Sequence, residues 1–236
     1  IARYQPVSWT VDRIESDELS PLQKFESSIR STIANILRAG LFDDNSISPY
    51  THQVEMLKKG LSDGQPGIVT SGTGSGKTES FLLPVISQIA AEGKKKWAAP
   101  SEGYLKGKWW HDPLTGYPFE KFTAIPKTQR PLGQNPDATP FVLHRDGETR
   151  QPAVRCMILY PMNALVDDQL TRLRAALDSD AVTRVFDEEL HGNRIFFGRY
   201  TGETPVTGFR EHPRDDSKKE TDRRHKQLSQ LFDYYC

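Results

Sequence analysis

Cysteine is almost absent from this chain, with Cys156 and Cys236 the two among 236 residues. There is no Cys-x-x-Cys pair and no basis for a disulfide framework, which fits a reducing cytosol. Net charge is missing as well, because 31 Lys+Arg balance 31 Asp+Glu. Global charge therefore gives no attraction to a polyanion, and any basic groove must be local. No apolar run is long enough to span a bilayer and no signal-type stretch opens the chain, so no membrane role is expected and the chain reads as cytoplasmic. Internal repeats are lacking too. The mean hydropathy of −0.61 is polar for a compact domain and implies much loop or partner-covered surface. The length still allows a core, as one α/β domain or as one domain with an appendage. Ile1 is not an initiator, and the aromatic ending before Cys236 is unlike a natural tail, so the chain reads as part of a longer polypeptide.

What is present is clearest between Ile68 and Glu79. A short β-prone run, Ile68-Val69-Thr70, meets Ser71-Gly72-Thr73-Gly74-Ser75-Gly76-Lys77-Thr78-Glu79, and a helix-forming apolar stretch follows from Phe81 to Ala91. Strand, glycine-rich turn and helix in this order make a nucleoside-triphosphate site. Glycines at alternate positions let the backbone curl with its N–H groups inward, where side chains would block the phosphates. The positive end of the helix adds to that field. Lys77 brings a mobile charge to the β- and γ-phosphates, and the Thr78 hydroxyl is placed to ligate Mg²⁺. A dinucleotide fingerprint is excluded, since its third glycine would fall at Lys77. Ser71 stands where the common phosphate loop has its first glycine.

Around this site the chain reads as follows. Residues 1–45 form an N-terminal helical extension, in which Ser20-Pro21 begins a helix. Leu22, Phe25, Ile29, Ile33, Ile36 and Leu37 recur at helical spacing, and Gly40 closes it. Residues 46–236 hold the main α/β domain. A helix is expected from Thr51 to Lys59, and Pro84 should kink the helix after the phosphate loop. Residues 94–151 are rich in Pro and Gly, carry Trp97, Trp109 and Trp110, and have ten basic and six acidic residues, net +4. That is too long for an ordinary connection, so it is an insertion. Strands are expected at Val154–Tyr160 and Arg194–Tyr200, with a helix from Ala164 to Leu177 between them. Residues 210–236 make a charged tail. The alternation implies a parallel sheet flanked by helices, with nucleotide at the carboxyl ends of the strands.

Three further features narrow the chemistry. Gln53, in Tyr50-Thr51-His52-Gln53, lies some two dozen residues before Lys77. Its amide offers both donor and acceptor to an adenine edge, and Tyr50 could stack on the base or sit in the core. The second is Pro161-Met162-Asn163-Ala164-Leu165-Val166-Asp167-Asp168-Gln169, where an expected strand opens into a helix. The third is Thr201-Gly202-Glu203-Thr204, again directly after an expected strand.

Together these resemble the superfamily 2 helicases of the DEAD/DEAH-box type. Gln53 matches their adenine-reading motif, Ser71 to Thr78 their first motif in its A/S-x-x-G-x-G-K-T form, Pro161 to Gln169 motif Ia, and Thr201 to Thr204 motif Ib. Met162 departs from the usual threonine. The resemblance implies a first RecA-like P-loop domain that binds ATP and Mg²⁺. It also implies that Pro161, Met162, Asn163, Gln169, Thr201, Gly202 and Thr204 hold one nucleic-acid strand by its backbone, DNA more than RNA. Asn163 and Thr204 also suit plain helix capping and turn formation. The Tyr50-Thr51-His52-Gln53 start, the form of motif Ia and the long insertion look like the bacterial branch related to Lhr and to DUF1998-associated repair helicases. They are also similar to helicase subunits of the DISARM phage-defence type.

Asp187-Glu188-Glu189-Leu190 invites reading as the acidic D-E box. It precedes Thr201, whereas the family places that box later, so it is set aside. Asp167-Asp168 lies on a helix and reads as surface. The chain thus holds part of a site, without its acid or a second motor domain, and should hydrolyse little ATP alone. An ATP-gated clamp or scaffold in a defence complex, with residues 94–151 docking a protein partner, is the alternative. A small-molecule kinase gives no reason for Gln53 or the two later motifs.

Overall fold

The computed structural model describes residues 9–42, 49–62, 66–70, 74, 76–101, 147–160 and 163–201. Six α-helices are found among them: α1 (Val11–Ser16), α2 (Ser27–Ile36), α3 (Thr51–Gly60), α4 (Lys77–Lys96), α5 (Asn163–Asp178) and α6 (Asp180–Glu189). By packing, residues 1–100 and 149–199 make one unit, and residues 101–148 and 200–236 a second, of which few residues are described.

The first unit is built around α4. Helices α2 and α3 pack against it, and α6 packs on α2. Ile33, Leu57, Leu83 and Ile86 are fully or almost fully buried in this seam, with Phe186 and Leu190 beside them. Each such side chain contributes about 1.5–3 kcal/mol by leaving water. A partly exposed ion pair contributes about 0–1 kcal/mol, so the apolar seam holds the helices and the charged groups orient them. The main orienting group is Glu189. Its carboxylate accepts from Thr32 Oγ1 at 2.8 Å, Asn35 Nδ2 at 3.1 Å and Lys94 Nζ at 2.8 Å, tying α6 to α2 and α4.

The single long helix expected from Ser20 to Gly40 is divided. Ser20 does cap with its hydroxyl, accepting from Leu22 N at 3.1 Å, and Pro21 does stand first. They open only a 3₁₀ turn, Pro21–Lys24, after which Phe25 and Glu26 are extended and α2 starts afresh. Apolar spacing reports a buried face and is blind to one extended pair within it. Gly40 does not terminate the segment either. It lies inside a π-turn, Leu37–Leu41, where a Cβ would stand 2.2 Å from the Ala176 carbonyl oxygen of α5. Glycine is there because two backbones meet.

The helix from Thr51 ends at Gly60 and the one from Asn163 at Asp178, close to expectation. Pro84 sits buried within α4, which runs unbroken from Lys77 to Lys96. Its ring occupies the space that a side chain at Gly60 would need, 2.5 Å from that Cβ position. The strands are a different matter. Among the described residues no β-strand is formed, and 66–70, 151–160 and 193–201 have no helix or strand assigned. Ile68, Val154 and Leu159, expected in buried strands, are 88%, 83% and 82% exposed. Their apolar character marks chain suited to a sheet, but a ladder needs non-local partners. No helix among the described residues is long and apolar enough to cross a membrane.

Residues 97–101 and 147–151 lie at the two ends of the expected insertion. Arg150 stacks on the Trp97 ring at 3.8 Å, and Trp97 Nε1 donates to Glu92 Oε1 at 3.0 Å. Arg155 grips the same Glu92, at 2.8 Å, and its hydrogen bond, against the effect of burial, holds that carboxyl below the usual range.

Two consequences can be measured. Gly40→Ala should destabilise the protein by about 1–3 kcal/mol in urea unfolding, because the obstacle is backbone rather than a mobile side chain. At Glu189, burial pushes the carboxyl up, but hydrogen bonds from Lys94, Thr32 and Asn35 prevail and hold it below its ordinary value. A depressed carboxylate stabilises above its unfolded pKa and loses that contribution as pH falls through the folded one. The wild type should therefore lose stability faster than Glu189→Gln as pH drops below about 4. Parallel acid limbs in the two thermal-unfolding profiles would refute this.

Candidate nucleotide and nucleic-acid site

The start of α4 is shaped by two left-handed glycines. Gly74 has φ of 75° and Gly76 a φ of 70°, a region that L side chains seldom adopt. Gly76 is the N-cap of α4 and brings no side chain to close over the first turn. Its carbonyl accepts from Ser80 N at 3.2 Å, Ser80 Oγ at 3.0 Å and Gln53 Nε2 at 3.0 Å. The carbonyl is thus pinned away from the turn's opening. Lys77 is exposed, while Thr78 and Glu79 are half-buried. A long helix opening on an uncapped glycine turn, with lysine and threonine as its first residues, fits a triphosphate and its Mg²⁺. A Cβ at Gly76 would meet the Gln53 amide.

Gln53 is buried at 3% exposure, with one partner at each end of its amide. Its Oε1 accepts from Tyr50 N at 2.7 Å, closing the first turn of α3, and its Nε2 holds Gly76. The residue expected to read adenine therefore also joins α3 to the phosphate turn across 23 residues. Tyr50 stacks on His52, with ring centroids 5.6 Å apart and planes 11° from parallel. Beyond the spacing between them, nothing in the chain's order of residues points to the Gln53–Gly76 contact.

The strand-holding residues are only partly in view. Asn163 begins α5. Gln169 donates to the carboxylate of its neighbour Asp168 at 3.0 Å. Thr201 is half-buried. Ser71, Gly72, Thr73, Ser75, Pro161, Met162, Gly202 and Thr204 lie outside the described residues.

Charged residues that motif reading passed over link these elements. Arg172 of α5 reaches Glu79 Oε1 at 2.9 Å and lies 3.4 Å from Asp168. Arg199 pairs with Asp167 of the same helix. Asp167 and Asp168 are exposed, as expected, but both are paired. The spacing of Asp168 and Arg172, four residues apart on a helix, was the available signal. Asp187 and Glu189, within the acidic run set aside above, are at the end of α6, held by Arg194 and Lys94.

A family model described as DEAD/DEAH box helicase matches residues 50–195, more than half of the chain. That match begins at Tyr50 and takes in Gln53, the phosphate turn and α5. The chain belongs to the DEAD/DEAH box helicase family. Domains of this family have a RecA-like α/β fold, use ATP, usually with Mg²⁺, and are associated with nucleic acid. A curated relative, Druantia protein DruE of Escherichia coli (strain UMEA 4076-1), is 30% identical over 172 residues, 71% of this chain. The chain spans 6% of that relative's length. No solved structure matches.

Gly76→Ala should separate from Gly74→Ala. A Cβ at Gly76 would stand 2.3 Å from Gln53 Nε2, whereas one at Gly74 meets nothing within 4 Å among the described residues. Both pay about 1–2 kcal/mol for the left-handed backbone, and Gly76→Ala should lose about a further 1–2 kcal/mol through the displaced amide. Equal thermal stability and equal fluorescent-nucleotide binding in the two variants would show that the Gln53 contact is absent in solution.

Proposed function

We propose that this chain is the nucleotide-holding part of an ATP-dependent helicase or translocase acting on nucleic acid, DNA rather than RNA. The observation that carries the proposal is the uncapped turn at Gly76, fastened from behind by Gln53, which opens a 20-residue helix with Lys77 and Thr78. Family membership supports it.

In this reading Ser71 to Gly76 supply inward backbone N–H groups, Lys77 supplies charge to the phosphates, and the Thr78 hydroxyl supplies an oxygen to the metal. Glu79 borders the same turn. Gln53 and Tyr50 select the base. ATP, when bound, provides the phosphoryl-transfer free energy that drives movement. Pro161, Met162, Asn163 and Gln169, with Thr201, Gly202 and Thr204, contact sugar-phosphate oxygens, a grip indifferent to base sequence. The division at residue 46 between N-terminal extension and motor domain, the insertion 94–151 as a protein-docking element, and the tail 210–236 belong to the same proposal.

The setting proposed is cytoplasmic, in antiviral defence or DNA repair. The relation to DISARM-type or Lhr-type subunits rests on the Tyr50-to-Gln53 start, the form of motif Ia and the long insertion.

Phosphoryl transfer is mostly positioning and charge neutralisation, so removing the lysine removes most of it. In the complete protein, Lys77→Ala should lower nucleic-acid-stimulated ATP hydrolysis by about 100-fold or more. A variant with undiminished stimulated turnover would place the nucleotide elsewhere.

A further inference from the structure

Glu79 and Arg172 join the two motif-bearing helices of the site, and neither is explained by packing. Glu79 stands in the first turn of α4, and its Oε2 lies 3.3 Å from where a Cβ of Gly76 would be. Among the described residues that oxygen is buried with no hydrogen-bond partner, while Oε1 receives Arg172 Nη1 at 2.9 Å. From α5, Arg172 also lies with Nε 3.4 Å from Asp168, one turn back toward Asn163. The neighbouring Asp167 is paired with Arg199, two residues before Thr201. Ion pairs therefore run from the phosphate turn through Arg172 to Asp168 on α5, whose neighbour Asp167 holds Arg199. The Tyr160 hydroxyl lies near the same charges, buried and without a partner among the described residues, and burial pushes its pKa up.

We propose that Arg172 is the positioning residue that couples nucleotide occupancy to the strand grip. The inference rests on the helicase reading above. A triphosphate beside Gly76 adds negative charge within reach of the Arg172 field. It favours the arrangement in which the guanidinium lies over the turn with Asp168 drawn toward it. A strand bound at the start of α5 favours that same arrangement, because Asp168 withdrawn onto Arg172 repels backbone phosphates less. Two ligands that each prefer one arrangement strengthen one another, and equally in both directions. Arg172 suits this role better than lysine would, since one planar guanidinium addresses Glu79 and Asp168 together. The pair is half open to water at Arg172, 49% exposed, so screening leaves it little part in folding.

The test uses the complete protein and labelled oligodeoxythymidine, with oligouridine in parallel. The readout is the ratio of strand affinity with and without a non-hydrolysable ATP analogue. Arg172→Ala should lower that ratio about fivefold or more while leaving the thermal unfolding midpoint unchanged. Arg172→Lys, which keeps the charge but not the fork, should restore part of the ratio. An unchanged ratio in Arg172→Ala overturns the inference and leaves the helicase reading standing. A drop that appears only with loss of folding also overturns it. If the wild type gains no strand affinity from the analogue and shows no nucleic-acid-stimulated hydrolysis, the helicase reading fails and this inference falls with it.

Discussion

One side-chain amide joins the beginning of α3 to the beginning of α4, and the site's geometry follows from it. Gln53 cannot satisfy the Tyr50 N–H and the Gly76 carbonyl together unless α3 and the phosphate turn hold one relative position. The amide is buried, so leaving either group unpaired would cost about 1–3 kcal/mol. Burial by itself would accept many sidechains at position 53. The paired donor and acceptor accept few, which ties local helix capping to the shape of a loop 23 residues away.

The rest of the helical unit serves to hold that junction still. Gly60 lets α3 lie directly on Pro84 of α4, and Gly40 lets the π-turn after α2 touch the backbone of α5. Glu189 then fastens α6 to α2 and α4 with three hydrogen bonds. Apolar burial supplies the energy and these contacts supply the register. An anion site at a helix start needs such rigidity, because its affinity depends on amides and charges already aimed before the ligand arrives.

Legibility in the sequence followed the range of the interaction. The phosphate turn is local: its glycines, Lys77 and Thr78 are contiguous, and the positive φ at Gly74 and Gly76 is what their spacing implied. Helices α3 and α5 are also local and were readable from caps and periodicity. The break between Pro21–Lys24 and α2 was not, since Phe25 keeps the apolar spacing while its backbone turns extended. Pairings across long separations were invisible, among them Gln53 with Gly76 and Glu79 with Arg172, 93 residues apart. The expected strands failed for the related reason that an apolar run names a candidate for a sheet without naming its neighbours. Ile68, Val154 and Leu159 accordingly stay exposed among the described residues.

The central claim is that the turn before α4, braced by Gln53, receives the triphosphate. Hydrogen exchange in the complete protein, with and without Mg²⁺–ATP, tests it at the level of single peptides. Added nucleotide should slow exchange across 74–80 and at the start of α3, where the brace begins, and leave α6 unchanged. Slowing confined to other segments, with 74–80 exchanging at its original rate, would contradict the account.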